Sequence, residues 1–126
     1  MTLPYVRGLG EYLPFRTKTF DQVLFVTSLD HLIHPTVGLN EASRVTRNEI
    51  CIWIGHKEKT APVPSSSPSW YEGLSVPKGA EDPFHYRRLS DVKLESALAC
   101  CGLSIVDKAT IAVDTWRTNY YYRVKH

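Results

Sequence analysis

The chain has 126 residues, 43% hydrophobic and 22% charged, a globular composition that fits one domain, 1–126, with a core of its own. A formal net charge of +2, with Lys and Arg scattered along the chain, gives no argument for nucleic acid, and no apolar run is long enough to span a bilayer. The N-terminal stretch MTLPYVRGLGEYLPF lacks the apolar centre and cleavage site of a signal peptide; with an odd count of three cysteines, two of them adjacent, the expectation is a reducing, cytoplasmic setting.

In chain order, LPYVR (3–7) reads as a short strand or a strand's tail. Gly8 and Gly10 then break the chain, and Leu13-Pro14-Phe15 anchors it. Residues 22–28 form the first clear strand. Its apolar run Val23–Val26 shows no polar alternation, which predicts cover on both faces, as in a parallel sheet. Behind it the chain turns polar at Thr27, Ser28, Asp30 and His31. The carboxyl end of a parallel strand is where open α/β folds bind ligands.

Pro35 suits the first turn of a helix over 35–46, with Val37, Leu39, Ala42 and Val45 on its apolar side and Gly38 weakening it slightly. EICIWIG (49–55) predicts a second strand. Residues 57–83 hold five prolines and a Ser-Ser-Ser run and read as one long loop or lid. The clearest helix spans 91–101. Ser90 is its N-cap, Leu89 and Leu94 form a hydrophobic staple, Leu94, Ala97, Leu98 and Cys101 make one stripe, and Gly102 takes the left-handed position after it. Strands 103–111 and 118–125 follow, joined by a turn region at 112–117, and should pair antiparallel.

The predicted fold is α/β: a right-handed βαβ unit, then a helix and an antiparallel pair completing one edge of a mixed sheet. Four stretches in that order carry a resemblance: V-R-G-L-G-E-Y-L-P-F (6–15), F-D-Q-V-L-F-V-T-S-L-D-H (20–31), L-N-E-A-S-R-V (39–45), and D-P-F-H-Y (82–86) with the following helix and G-L-S-I-V (102–106). Together they resemble the C-terminal half of a class I S-adenosylmethionine-dependent methyltransferase of the type 11 kind. The match covers nearly all of the chain outside 57–81.

The resemblance implies a partial Rossmann-like sheet with strands equivalent to 4-5-7-6, the last pair antiparallel, and flanking helices. It implies S-adenosyl-L-methionine as cofactor and methyl transfer to an acceptor. The Gly-rich turn and the acid that hold the donor belong to strands with no counterpart here. Leu9 stands where the family has an Asp facing adenine, and Thr46-Arg47-Asn48-Glu49 replaces its Gly-rich turn before the fifth strand.

By the same resemblance, Gly10, Glu11, Ser28 and Leu29 are the donor-side candidates; the plain alternative for Gly10 and Glu11 is an ordinary glycine turn. His31 is the candidate general base, since imidazole titrates near neutrality; otherwise Asp30 and His31 only cap the next turn. Asp30, Trp70, Tyr71, His85 and Tyr86 are acceptor-side or lid candidates; the plain alternative is that the aromatics only pin the loop to the body. His31 and His34 have metal-like spacing, but no further ligand pattern joins them, so no metal is expected. Tyr120, Tyr121 and Tyr122 read as alternating faces of a strand, and Cys100 and Cys101 as core filling.

The expected function is the acceptor-side portion of a methyltransferase, inactive alone. The alternative is a pseudoenzyme or interaction module that keeps the fold. Either way the edge of strand 22–28 is expected to self-associate or to take a partner chain.

Overall fold

The computed structural model describes residues 4–57, 89–115 and 117–126. The predicted loop at 57–83 lies outside these residues, Lys57 excepted. The elements are β1 (Phe20–Val26), a 3-10 turn (Leu29–His31), α1 (Pro35–Val45), β2 (Thr46–Lys57), α2 (Asp91–Cys100), β3 (Ser104–Ala112) and β4 (Arg117–Lys125). They build one mixed sheet of order β1-β2-β4-β3. β1 and β2 pair parallel, with Val23 opposite Ile50 and Phe25 opposite Ile52. β4 runs antiparallel to both β2 and β3. This is the predicted partial Rossmann-like sheet.

The strand pattern decides which face carries the core. Along β2, Ile50, Ile52 and Ile54 are buried at every second position, and Tyr122 and Val124 continue the same side on β4. Leu39 and Ala42 of α1 and Leu94 and Leu98 of α2 close over them in one cluster. Both described helices lie on this face, so the described residues form two layers.

α2 forms as its sequence requires. The Ser90 hydroxyl oxygen accepts from the Lys93 N–H at 3.3 Å. Leu89 and Leu94, the two halves of the staple, are both buried. At the other end Gly102 takes φ +68°. The Leu103 N–H then donates to the Leu98 carbonyl at 2.9 Å and the Gly102 N–H to that of Ala99 at 3.0 Å, satisfying carbonyls the helix leaves open.

Three local expectations are corrected. Residues 4–7 form no strand; the chain there is irregular, with a single bridge between Leu9 and Tyr12. β2 starts at Thr46, three residues before the expected strand 49–55: the Thr46 hydroxyl donates to the Ala42 carbonyl at 2.6 Å, ending α1 at Val45, and the strand begins without a connecting loop. β1 is not covered on both faces. Val23 and Phe25 face the core, whereas Leu24 and Val26 are 61% and 52% exposed, and among the described residues β1 is an edge strand with β2 as its one neighbour. Its apolar run was read correctly, but the second covering layer is not supplied by the described residues.

Gly38 has a packing reason for its place in α1. A Cβ there would stand 2.3 Å from Leu32 Cδ1, and one on Gly10 would stand 2.7 Å from Leu32 Cδ2. Leu32 is thus held between two glycines, which brings the 9–12 turn close against the start of α1. Among the described residues no helix is long and apolar enough to cross a membrane.

Candidate functional site

The site is built at the carboxyl end of β1. Thr27 continues the parallel ladder by donating to the Trp53 carbonyl at 2.9 Å, then takes φ +49°. A β-branched residue rarely adopts that conformation, and it turns the chain sharply out of the sheet. Ser28, exposed, starts the 3-10 turn, in which the His31 N–H donates to the Ser28 carbonyl at 3.1 Å. Leu29 is fully buried in the core and can offer a ligand only its backbone. Asp30 is buried, with Oδ1 4.0 Å from Nε2 of His31, whose side chain is 44% exposed. The carboxylate is thus enclosed while the imidazole beside it reaches solvent.

The structure brings the two predicted halves of this site together. The Glu11 carboxylate accepts from the Ile33 N–H at 3.0 Å and the His34 N–H at 3.4 Å. With Gly10 against Leu32, the Gly10–Glu11 turn is fastened to the turn that carries Ser28–His31. In this geometry the Glu11 side chain serves the chain's own backbone ahead of α1.

A second layer of contacts fixes the approach to that turn. The Arg44 guanidinium grips Glu41 through Nε–Oε1 at 2.8 Å and Nη2–Oε2 at 2.9 Å, and also donates to the Phe15 and Leu13 carbonyls at 2.9 and 3.1 Å. Glu41 Oε2 accepts from the Leu13 N–H at 2.9 Å. The hydrogen bonds from Arg44 hold the Glu41 carboxyl down at about 2, against the partial desolvation that opposes them. The stretches 6–15 and 39–45, separate in sequence, are therefore one unit. Glu41 and Arg44 were not singled out by sequence reasoning; an acid and a base three apart on a helix was the available signal.

A groove of about 470 Å³ opens beside the site, between the beginnings of α1 and α2. His34, Thr36, Lys93 and Ser96 supply its polar lining, and Ile33, Leu89 and Val92 its apolar lining. His34 therefore lines this groove, and the described residues contain no cluster of His, Cys, Asp or Glu able to hold a metal. Trp70, Tyr71, His85 and Tyr86 lie outside the described residues. Tyr120–Tyr122 alternate as expected: Tyr122 is buried, and Tyr121 stacks on Trp53 across the opposite face at 5.3 Å between rings.

No family model matches the sequence, and no curated protein is similar to it by sequence. Solved structures are similar in fold. A protein from Bacillus halodurans C-125, named a putative methyltransferase, superposes with a TM-score of 0.66 at 14% identity, over 95% of this chain and 69% of that one. The [4+2]-cyclase SpnF gives 0.64 at 15% identity, over 92% and 54%. A SAM-dependent methyltransferase from Aquifex aeolicus gives 0.60 at 15% identity, over 97% and 55%. The chain thus spans between about half and two thirds of the length of these proteins. Over that span, the β1-α1-β2 unit and the antiparallel pair carry the fold of the SAM-dependent methyltransferases.

Proposed function

We propose that this chain is the acceptor-side portion of a SAM-dependent methyltransferase, transferring a methyl group from S-adenosyl-L-methionine to an acceptor and inactive alone. One observation carries the reading: Gly10–Glu11 and Ser28–His31, far apart in sequence, are fastened into one turn cluster at the carboxyl end of β1, on a sheet with this fold. Ligands of open α/β sheets sit at that end.

The residues present fit the donor as one wall of a pocket. The Gly10–Glu11 backbone and the exposed Ser28 lie at the site, while on β1's outer side, where an opposing wall belongs, no described residue stands. S-adenosylmethionine supplies an already activated methyl group. What remains for this chain is to orient the acceptor, exclude water and take a proton where the acceptor must lose one. His31, half exposed at the mouth of the turn with buried Asp30 beside it, takes that proton on its imidazole. The groove of His34, Thr36, Lys93 and Ser96 receives the acceptor. The reducing cytoplasmic setting read from the cysteines belongs to the same proposal.

A second reading, a non-catalytic module that keeps the fold, is favoured by Glu11, whose carboxylate is engaged by backbone N–H groups, and by exposed Leu9, which offers adenine no acceptor. SpnF, titled a cyclase, illustrates that this fold does not dictate one reaction. Calorimetric titration of the purified chain with S-adenosylmethionine and S-adenosylhomocysteine separates the two. Saturable binding weakened by Gly10→Val supports the donor wall. Heat of dilution only, at millimolar donor, removes stand-alone donor binding and favours the module.

A further inference from the structure

We infer that Glu11 is a positioning residue of the acceptor groove: from the donor-side turn, its carboxylate sets the place of Ile33 and His34, which form the α1 wall of that groove. This deepens the reading above and rests on it for the groove's role; the hold itself stands on geometry.

The wall needs a holder. Pro35 opens α1, and the helix has no side-chain cap. The His34 carbonyl is engaged by the first turn, accepting from the Val37 and Gly38 N–H groups at 3.0 and 3.1 Å. The N–H groups of Ile33 and His34 lie ahead of the helix and take no part in its ladder. Both donate to one oxygen, Glu11 Oε1, at 3.0 and 3.4 Å. Among the described residues neither has another acceptor. The same two residues line the groove. A hydrogen bond to an ionised acceptor is roughly twice as strong as a neutral one, and the negative charge lies at the favourable end of the α1 dipole.

The holder is itself fixed. The Tyr12 N–H donates to the Leu9 carbonyl at 3.0 Å, closing the turn that carries Glu11. Leu32, next to Ile33, fills the space between Gly10 and Gly38 and sets how near the turn comes to α1. One step along, Leu13 is clamped from both sides, its N–H by Glu41 and its carbonyl by Arg44. The path from Arg44 through Leu13 and the turn to Glu11, and on to Ile33, is therefore made of short polar contacts backed by one packed leucine. A carboxylate in that place has a different task from binding adenosine. It passes the position of the donor-side turn to groove residues 22 and 23 places further along the chain. A ligand that displaces the turn must displace the wall, and one that spreads the wall must pull on the turn.

Nuclear magnetic resonance of the full chain tests this. The Ile33 methyl groups and the His34 ring mark the wall, and the Leu94 and Leu98 methyl groups, fully buried, mark the core. Glu11→Ala should speed amide exchange at Ile33 and His34 at least about tenfold and shift the wall resonances while the core resonances stay. Glu11→Gln, which keeps an acceptor oxygen at the same reach, should restore the wall. Glu11→Asp, which keeps the charge on a stem one methylene shorter, should not. Wall resonances that stay in place in Glu11→Ala, with only a lower urea midpoint, overturn the inference, because Glu11 then stabilises without positioning. Restoration by Asp and not by Gln overturns it as well, since charge and not reach then decides. If Glu11→Ala does not fold, Glu41→Gln takes its place: loosening the Leu13 clamp should move the wall resonances, and a wall that ignores it overturns the inference. Titration of the wild type with S-adenosylhomocysteine is read separately. No saturable shift at Gly10 removes the donor reading and leaves the hold of Glu11 on the wall standing.

Discussion

Replacing Glu41 with Gln tests how the 9–15 turn is held. The substitution keeps size and some hydrogen bonding but removes the charge that Arg44 grips from two sides. The fall of the Glu41 carboxyl from 4.5 to about 2 converts to ~3 kcal/mol of linkage if taken whole. Glu41 and Arg44 are 19% and 34% exposed, so solvent screening reduces the expected loss to about 1–2 kcal/mol at neutral pH. The sign follows from the direction of the shift. A carboxyl depressed by folding contributes fully above its unfolded value of 4.5, and that contribution fades as pH falls toward about 2. Urea unfolding of the wild type and Glu41→Gln at pH 7, 4 and 2.5 should show curves that differ most at pH 7 and converge in acid. A constant difference across that range would refute the argument, because the effect would then be one of shape and not of charge. Arg44→Met in the Glu41→Gln background should cost less than Arg44→Met alone, since the pair acts as a unit.

Four further outcomes follow from the packing. Leu94→Ala should cost about 2–5 kcal/mol and Ser90→Ala about 1 kcal/mol in urea unfolding, because one empties a fully buried site and the other removes only a cap. Gly38→Ala should gain less than the ~1 kcal/mol that alanine gains in a helix, because the Leu32 side chain must shift away from the new methyl, and more of that gain should return in the Leu32→Ala background; thermal unfolding of both single variants and the double variant checks the coupling. Gly102→Ala meets no atom within 4 Å, so its loss of about 1 kcal/mol should come from the positive φ alone and leave the circular dichroism spectrum unchanged. Thr27→Gly should raise the free energy of unfolding by up to about 1 kcal/mol in urea unfolding, the strain released at φ +49° outweighing the flexibility that glycine adds to the unfolded chain.

Element type and order were legible along most of the described chain because local signals agreed. Ser90, the Leu89–Leu94 staple and Gly102 mark α2 to within a residue. The alternation of Ile50, Ile52 and Ile54 fixes which side of β2 is buried, and Tyr120–Tyr122 repeat that parity on β4. Of the candidate site, the cluster behind β1 was legible because polar residues follow an apolar run there. The role of Glu11 was not, since its hydrogen bonds to Ile33 and His34 span more than twenty residues.

What the sequence by itself determined is therefore the local chemistry: caps, periodicities, the β-α-β order and the polar turn at Ser28–His31. Tertiary structure alone decided three things. It joined 6–15 to 39–45 through Arg44, it gave Gly38 its reason in Leu32, and it left Leu24 and Val26 without cover from the described residues on the face away from the helices. The physical reason is common to all three. Periodicity reports that a residue wants cover, whereas which atoms provide that cover depends on chain segments brought together only by folding.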